Sequence, residues 1–181
     1  MTPRLVPVFD LDGTLLDSDE ALVQAFVVLG VPRDRIGFGE PVAEACERFG
    51  VPLETYVAAY DPALVQPYPG VADLLAGLGR WAVCSNKHPS AGALDLARWG
   101  WHPDVALFSD AFGWAPKRLD LVLEALGLGA DDVLFVGDSE HDVAAARTAG
   151  VRFAPARWNP RAARLEGDVL VSRPQDLLAW C

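Results

Sequence analysis

Lysine is almost absent from this chain of 181 residues, whose 15 basic residues comprise two lysines and 13 arginines. The 25 acidic residues give a formal net charge of −10, and no run of basic residues occurs anywhere. Nucleic acids and anionic membranes are bound by clustered positive charge. The composition therefore argues against both kinds of partner.

Cysteines and long apolar runs are scarce as well. The three cysteines, Cys46, Cys84 and Cys181, are far apart and lack metal-ligand spacing, which indicates reduced thiols rather than a disulfide framework. The most apolar segment, 21–31, is interrupted by Gln24 and is too short to cross a bilayer. The chain also starts without a signal-peptide pattern, so we expect a cytoplasmic protein.

Short apolar runs alternate with helical patterns over most of the chain. Predicted strands cover 5–9, 81–84, 105–108, 133–136, 151–154 and 169–171. Predicted helices between and after them cover 71–78, 90–99, 118–126, 142–149 and 174–180. This alternation is typical of an α/β fold with a doubly wound, Rossmann-like parallel sheet covered on both faces.

The segment between the first strand and the rest contains only helical patterns. Helices are predicted from Ala21 to Gly30, with Ser18 as N-cap, then over 41–49 and from Pro52 to Tyr60. The stretch 61–70 holds three prolines and a glycine, which predicts a linker. We therefore expect a catalytic core of 1–16 and 68–181 and an all-helical cap of 17–67.

Polar side chains follow four of the predicted strands. Asp10 and Asp12 follow the first, Ser85, Asn86 and Lys87 the second, Lys117 lies beyond the third, and Asp138, Ser139 and Asp142 follow the fourth. In a doubly wound sheet, ligands bind beyond the carboxyl ends of the strands. We therefore expect these side chains to form one site.

Several carboxylates at close range repel one another unless a cation or a proton joins them. Oxygen ligands favour a hard divalent ion, above all Mg²⁺, which is held by one or two carboxylates together with a substrate phosphate. A phosphate group beside a carboxylate nucleophile would need that ion, the cation of Lys117 and the Ser85 hydroxyl.

The motifs DLDGT at 10–14, Ser85 after the second core strand, Lys117 and GDSEHD at 137–142 resemble, in this order, the haloacid dehalogenase superfamily. The PYPGV at 67–71 and the AGV at 149–151 extend the resemblance over nearly the whole chain, and its phosphoglycolate-phosphatase-like branch with a helical cap is the most similar. The resemblance implies a Mg²⁺-dependent phosphatase that acts on a small phosphorylated metabolite.

The resemblance also implies roles for single residues. Asp10 would be the nucleophile that forms an aspartyl-phosphate, and Asp12 would be the general acid and then the base. Ser85, Asn86 and Lys117 would bind the phosphoryl group. The metal would be held by Asp10, the backbone carbonyl of Asp12 and Asp138, with Asp142 near the ion.

The third motif departs from the family pattern. The segment 113–118 reads GWAPKR, and its helix is about one turn shorter than usual. One alignment gives Lys117 the motif's lysine position, whereas another gives that position to Gly113 or Trp114 and leaves Lys117 on the helix. For Lys87 a site role and a surface position stay equally open, and for Tyr56 and Tyr60 solvated surface is favoured over selection of the leaving group.

Several other activities compete with the phosphatase. Asp12 argues against dehalogenation, which protonates no alkoxide, and the lysine-free insert argues against a Schiff-base hydrolase. A phosphosugar mutase shares all of these motifs and stays an alternative. A receiver-like phospho-acceptor module is more remote, since it has neither DxDGT nor the insert. The sequence indicates no oligomeric state.

Overall fold

The computed structural model describes residues 4–181; residues 1–3 of the predicted core lie outside this range. The seven strands of the described chain are β1 (Val6–Phe9), β2 (Leu16–Asp17), β3 (Gln66–Pro67), β4 (Ala82–Cys84), β5 (Val105–Leu107), β6 (Val133–Gly137) and β7 (Arg152–Pro155). The α-helices are α1 (Asp19–Val27), α2 (Val42–Phe49), α3 (Leu53–Ala59), α4 (Val71–Gly77), α5 (Pro89–Arg98), α6 (Leu119–Leu126) and α7 (Glu140–Ala149). Short 3-10 helices span Arg33–Arg35, Pro62–Leu64, Ser109–Phe112, Ala130–Asp132, Pro160–Arg164 and Pro174–Ala179.

Five strands form one parallel sheet in the order β5-β4-β1-β6-β7. Successive residues of β1 point to opposite faces, so that Val8 packs with α6 and α7 while Phe9 packs with α4 and α5. Both faces of the sheet are thus buried, which explains why the central strands β1, β4 and β6 consist of apolar residues. The predicted α/β fold with a doubly wound sheet is confirmed.

The helical insert has a buried cluster of its own. Phe26 of α1 packs at ring-centroid distances of 4.5 Å from Tyr56 of α3 and 5.3 Å from Phe49 of α2. Cys46 and Val42 complete the cluster, which contains no residue of the large sheet. From this packing we propose that 17–67 forms a cap on a core of 1–16 and 68–181.

The predicted linker contains regular structure. Within 61–70, β3 pairs antiparallel with β2, and Leu16 lies opposite Pro67. The two chain crossings between core and insert therefore form one two-stranded ribbon. Residue propensities did not predict the pairing of β2 with β3, because Pro67 lacks an N–H and proline is tolerated only where a strand has a free edge.

Two predicted elements near the C-terminus differ from the structure. The strand predicted over 169–171 is reduced to a single bridge between Ala156 and Val171. The backbone N–H groups of Asp168 and Val169 donate to Phe153 O, and the Asp168 carboxylate accepts from Phe153 N, which covers the free edge of β7 in place of a further strand. The C-terminal segment forms a 3-10 helix over Pro174–Ala179, since so few residues gain little from α-helical bonding.

No helix among residues 4–181 has both the length and the apolar character that crossing a membrane requires.

Candidate active site

Asp10 lies directly after the central strand β1, buried at the carboxyl edge of the sheet. Its Oδ1 accepts hydrogen bonds from the backbone N–H of Leu11 at 2.7 Å and lies 2.9 Å from Lys117 Nζ. Burial raises the pKa of Asp10 from 3.8 to about 7, against the opposing charge of Lys117. Even with Lys117 beside it, the carboxylate thus needs a further positive charge to be fully ionised at neutral pH.

Lys117 precedes α6, and its side chain is only 1% exposed. The ammonium is shared between Asp10 and Asp142, with 2.7 Å to Asp142 Oδ1. Burial by itself would lower the pKa of Lys117, but the charges of Asp10 and Asp142 outweigh it and raise the pKa. Of the residues that the two alignments put at the motif's lysine position, the structure places Lys117 beside Asp10.

The loop after β6 supplies two more carboxylates. Asp142 caps its own helix, since its Oδ2 accepts from Ser139 Oγ at 2.6 Å and from the backbone N–H groups of Ser139 and Asp138. With Oδ1 bound to Lys117, both oxygens of Asp142 have partners. Asp138 points across the site toward Thr14, at 3.3 Å, and burial raises its pKa to about 6.

The carboxylates of Asp10, Asp138 and Asp142 could hold a metal ion. All three are buried, and one oxygen of each lies within 4.8 Å of the others. The donor set is oxygen only, as Mg²⁺ and other hard cations require. The Asp12 carboxylate is outside this cluster, so any contribution of Asp12 would come from its backbone carbonyl.

Asp12 turns its side chain toward the cap. Its Oδ1 accepts from Ser18 Oγ and from Lys87 Nζ, both at 2.6 Å. Ser18 occupies the predicted N-cap position of α1, but its hydroxyl binds Asp12 and makes no side-chain cap bond.

Ser85 and Asn86 follow β4 and are both buried. The Ser85 hydroxyl lies in the cavity beside Asp10. The Asn86 amide is already engaged: it donates to Gly39 O of the cap at 2.8 Å and accepts from Lys117 N at 2.7 Å. Asn86 thus joins three parts of the site. The Ser85 Oγ accepts the backbone N–H of Lys87 at 3.3 Å, and among residues 4–181 its own O–H donates to no side chain or backbone group.

Lys87, Tyr56 and Tyr60 are buried, and the surface positions considered for them are wrong. Lys87 Nζ donates to Tyr60 OH at 2.8 Å and lies 3.1 Å from Asp95 Oδ2. Burial would lower the pKa of Lys87, but Asp12 and Asp95 outweigh it and raise the pKa. Both lysines of the chain are therefore buried within the site.

Sequence inspection missed Asn159 and Arg161. Both contact Asp138 Oδ2, at 3.1 Å from Asn159 Nδ2 and 2.6 Å from Arg161 Nε. Arg161 also donates to Asp19 Oδ1 of α1 at 2.8 Å. They lie beyond β7, so extending the search for polar residues to the end of the fifth strand would have included them.

A cavity separates these carboxylates from the cap. Asp10, Asp12, Ser85 and Asp138 line its core side. On the cap side it is lined mainly by apolar side chains: Leu22, Phe26, Ile36, Phe38, Val42 and Tyr56. The site can therefore admit a polar group at its base and an organic group above it.

Comparisons with known proteins agree with this geometry. Residues 8–156 match the family model described as haloacid dehalogenase-like hydrolase. The chain is 35% identical to phosphoglycolate phosphatase 1 of Pseudomonas aeruginosa, over 84% of this chain and 68% of that protein. It is 30% identical to phosphoglycolate phosphatase of Xanthomonas campestris, over 98% of this chain and 97% of the relative.

Solved structures show the same fold. A haloacid dehalogenase-like hydrolase of Streptococcus pneumoniae superposes with a TM-score of 0.79 at 23% identity, covering 99% of both chains. A hydrolase of Pseudomonas syringae has a TM-score of 0.77 at 21% identity, covering 98% of this chain and 97% of the other. The chain therefore belongs to the haloacid dehalogenase-like hydrolases, in the phosphoglycolate-phosphatase-like branch.

Proposed function

We propose that the protein is a Mg²⁺-dependent phosphatase that hydrolyses a small phosphate monoester through an aspartyl-phosphate on Asp10. The observation that carries this proposal is the buried contact between Lys117 Nζ and Asp10 Oδ1, beside Asp138. A carboxylate held by a cation at a metal-binding edge is an arrangement suited to nucleophilic attack on phosphorus.

In the first step, an Asp10 oxygen attacks the phosphorus atom and the ester oxygen leaves. Asp12, whose side chain turns toward the cap, gives its proton to that oxygen, so that an alcohol departs rather than an alkoxide. Ser85 and Lys117 bind the phosphoryl oxygens. Bound at Asp10 and Asp138, Mg²⁺ would supply the positive charge that lets the carboxylates and the phosphate share the site.

In the second step, the Asp12 carboxylate takes a proton from a water molecule that attacks the phosphorus atom. The phosphate leaves, and Asp10 is restored as a free carboxylate. Asp142 holds Lys117 in place through both steps and would be near the ion when it is bound. The relatives named as phosphatases support transfer to water over transfer to a second sugar, as in the mutase alternative.

The cap side of the cavity favours an uncharged leaving group. The cap arginines Arg33 and Arg48 form surface ion pairs with Glu20 and Glu40 and do not line the cavity. Lys87 and Arg161 do line it, but both are paired with carboxylates. A second anionic group on the substrate would therefore meet apolar side chains and acids, at a desolvation cost.

The test is phosphate release from p-nitrophenyl phosphate with Mg²⁺, with EDTA, and by the variant Asp10→Asn. We expect turnover with Mg²⁺ and loss of turnover in both other cases. Wild-type rates in Asp10→Asn would exclude Asp10 as the nucleophile. The aspartyl-phosphate can be trapped by quenching in acid or by reduction with borohydride. The modified residue should be Asp10, and modification of another residue would contradict the mechanism.

A further inference from the structure

Lys87 connects the Asp12 carboxylate to one end of the cap, and Ser18 binds the same carboxylate from the other end. The ammonium lies 2.6 Å from Asp12 Oδ1 and donates to Tyr60 OH at 2.8 Å. Tyr60 directly follows α3, at the end of the helical segment, while Ser18 lies at its start and binds the same Asp12 oxygen. The hydrogen bonds that orient Asp12 thus originate at both ends of the cap.

The Lys87 ammonium is engaged within the protein on three sides. It donates hydrogen bonds to Asp12 Oδ1 and Tyr60 OH, and it lies 3.1 Å from Asp95 Oδ2 as an ion pair. The ammonium also lies 4.6 Å from the centre of the Tyr60 ring. Two carboxylates, Asp12 and Asp95, already balance the single charge of Lys87, and in this it differs from a phosphate-binding cation.

Lys87 also has a structural role, because it balances the charge of the Asp95 carboxylate. The Asp95 side chain is fully buried on α5, and Tyr60 OH donates to Asp95 Oδ2 at 3.0 Å. Asp95 Oδ1 has no partner among residues 4–181. If charge balance of Asp95 were the whole purpose, Lys87 would not need to reach Asp12 at hydrogen-bond distance.

We propose that Lys87 is a positioning residue, which holds the Asp12 carboxylate over the reacting ester oxygen and, through Tyr60, makes this position depend on the closed cap. The inference rests on the proposed phosphatase function. A general acid that is misplaced by about 1 Å loses about 100-fold in rate. Lys87 therefore acts on proton transfer through Asp12 and not on substrate binding.

The first test compares two esters with Lys87→Met. p-Nitrophenolate leaves as a stable anion without a proton, whereas an alkyl phosphate needs the proton of Asp12. We expect kcat for an alkyl phosphate to fall about 100-fold with KM nearly unchanged, and the nitrophenolate burst of the first turnover to be kept. Equal losses in the burst and in alkyl ester turnover, or a change in KM alone, would overturn the inference.

The second test is a double-mutant cycle with Asp12→Asn. If Lys87 acts through Asp12, Lys87→Met should cause almost no further loss in the Asp12→Asn protein. Independent, multiplying losses would show that Lys87 acts elsewhere. The control is Arg173→Met, which removes a cation that has 76% side-chain exposure and does not line the cavity, and it should leave both rates unchanged.

Lys87→Met leaves Asp95 without its cation and could therefore impair folding. Two further variants separate that effect from the effect on Asp12. Lys87→Met combined with Asp95→Asn removes that buried charge and should show the same dependence on the leaving group. Tyr60→Phe keeps Lys87 and Asp95 and should reduce alkyl ester turnover about 10-fold. Tyr60→Phe without a leaving-group effect would overturn the coupling to the cap, and a wild-type protein without any phosphatase activity would overturn the proposed function together with this inference.

Discussion

Lys117 Nζ lies 2.9 Å from Asp10 Oδ1 and 2.7 Å from Asp142 Oδ1, so that one buried ammonium joins the first and the last acidic motif of the chain. The three charges belong to segments that follow three different strands. Their contact exists only because β1, β5 and β6 end at the same edge of the sheet.

Replacing Lys117 should therefore cost both activity and stability. In Lys117→Met, we expect phosphate release to fall by about 100- to 1,000-fold, because the phosphoryl charge loses a fixed cation. Lys117→Arg should not restore it, since the larger guanidinium does not fit between two carboxylates spaced for a point charge. The measurement is kcat for p-nitrophenyl phosphate, with Arg173→Met as the control; kcat within twofold of wild type in Lys117→Met would contradict the prediction.

The metal-free protein should lose stability as the pH rises. Burial raises the pKa of Asp10 from 3.8 to about 7 and that of Asp138 to about 6. Between about pH 4 and pH 7 the folded state keeps protons that the unfolded state has released, so this contribution to the free energy of unfolding falls across that window.

Mg²⁺ should reverse the effect. Because the ion binds deprotonated carboxylates, we expect it to raise the melting temperature more at about pH 8 than at about pH 5. Melting curves at each pH with MgCl₂ and with EDTA provide the measurement, and Asp138→Asn should abolish the difference. Equal Mg²⁺ shifts at both pH values would argue against a metal on Asp10 and Asp138.

Gly13→Ala should disturb the metal site in addition to straining the backbone. A Cβ on Gly13 would lie 2.4 Å from Asp138 Oδ2, and the residue has φ of +78°. Gly127 has φ of +67° with nothing within 4 Å of its added Cβ. Gly127→Ala therefore introduces only the backbone strain, about 1–2 kcal/mol. We expect only Gly13→Ala to reduce Mg²⁺ affinity in a titration; matching Mg²⁺ affinities in the two variants would count against this account.

The charge of the leaving group can be tested with a matched pair of esters. Phosphoglycolate and 2-hydroxyethyl phosphate differ mainly in a carboxylate, which the apolar cap side disfavours. We expect kcat/KM to be about tenfold higher for 2-hydroxyethyl phosphate, whose leaving group is uncharged. This corresponds to a difference of about 1.4 kcal/mol. A preference for phosphoglycolate would refute the proposed uncharged leaving group and leave the phosphatase proposal intact.

Much of the core was predictable from local patterns. Apolar runs of strand length, each followed by polar residues, located Asp10, Ser85 and Asp138 at the ends of β1, β4 and β6. The strand predicted over 169–171 failed for a tertiary reason, since the Asp168 carboxylate and two backbone N–H groups close the edge of β7 instead. Nothing local distinguishes that arrangement from a further strand.

The sequence by itself determined the α/β core, the helical insert and the order of the acidic motifs, because hydrophobic periodicity and turn residues act over short stretches. The tertiary structure decided which charged side chains contact one another. Lys87 is a buried link between Asp12 and Tyr60, and Arg161 reaches Asp138 from beyond β7. A buried charge is stable only beside its counter-charge, and these pairs lie far apart in the chain, so only folding brings them together.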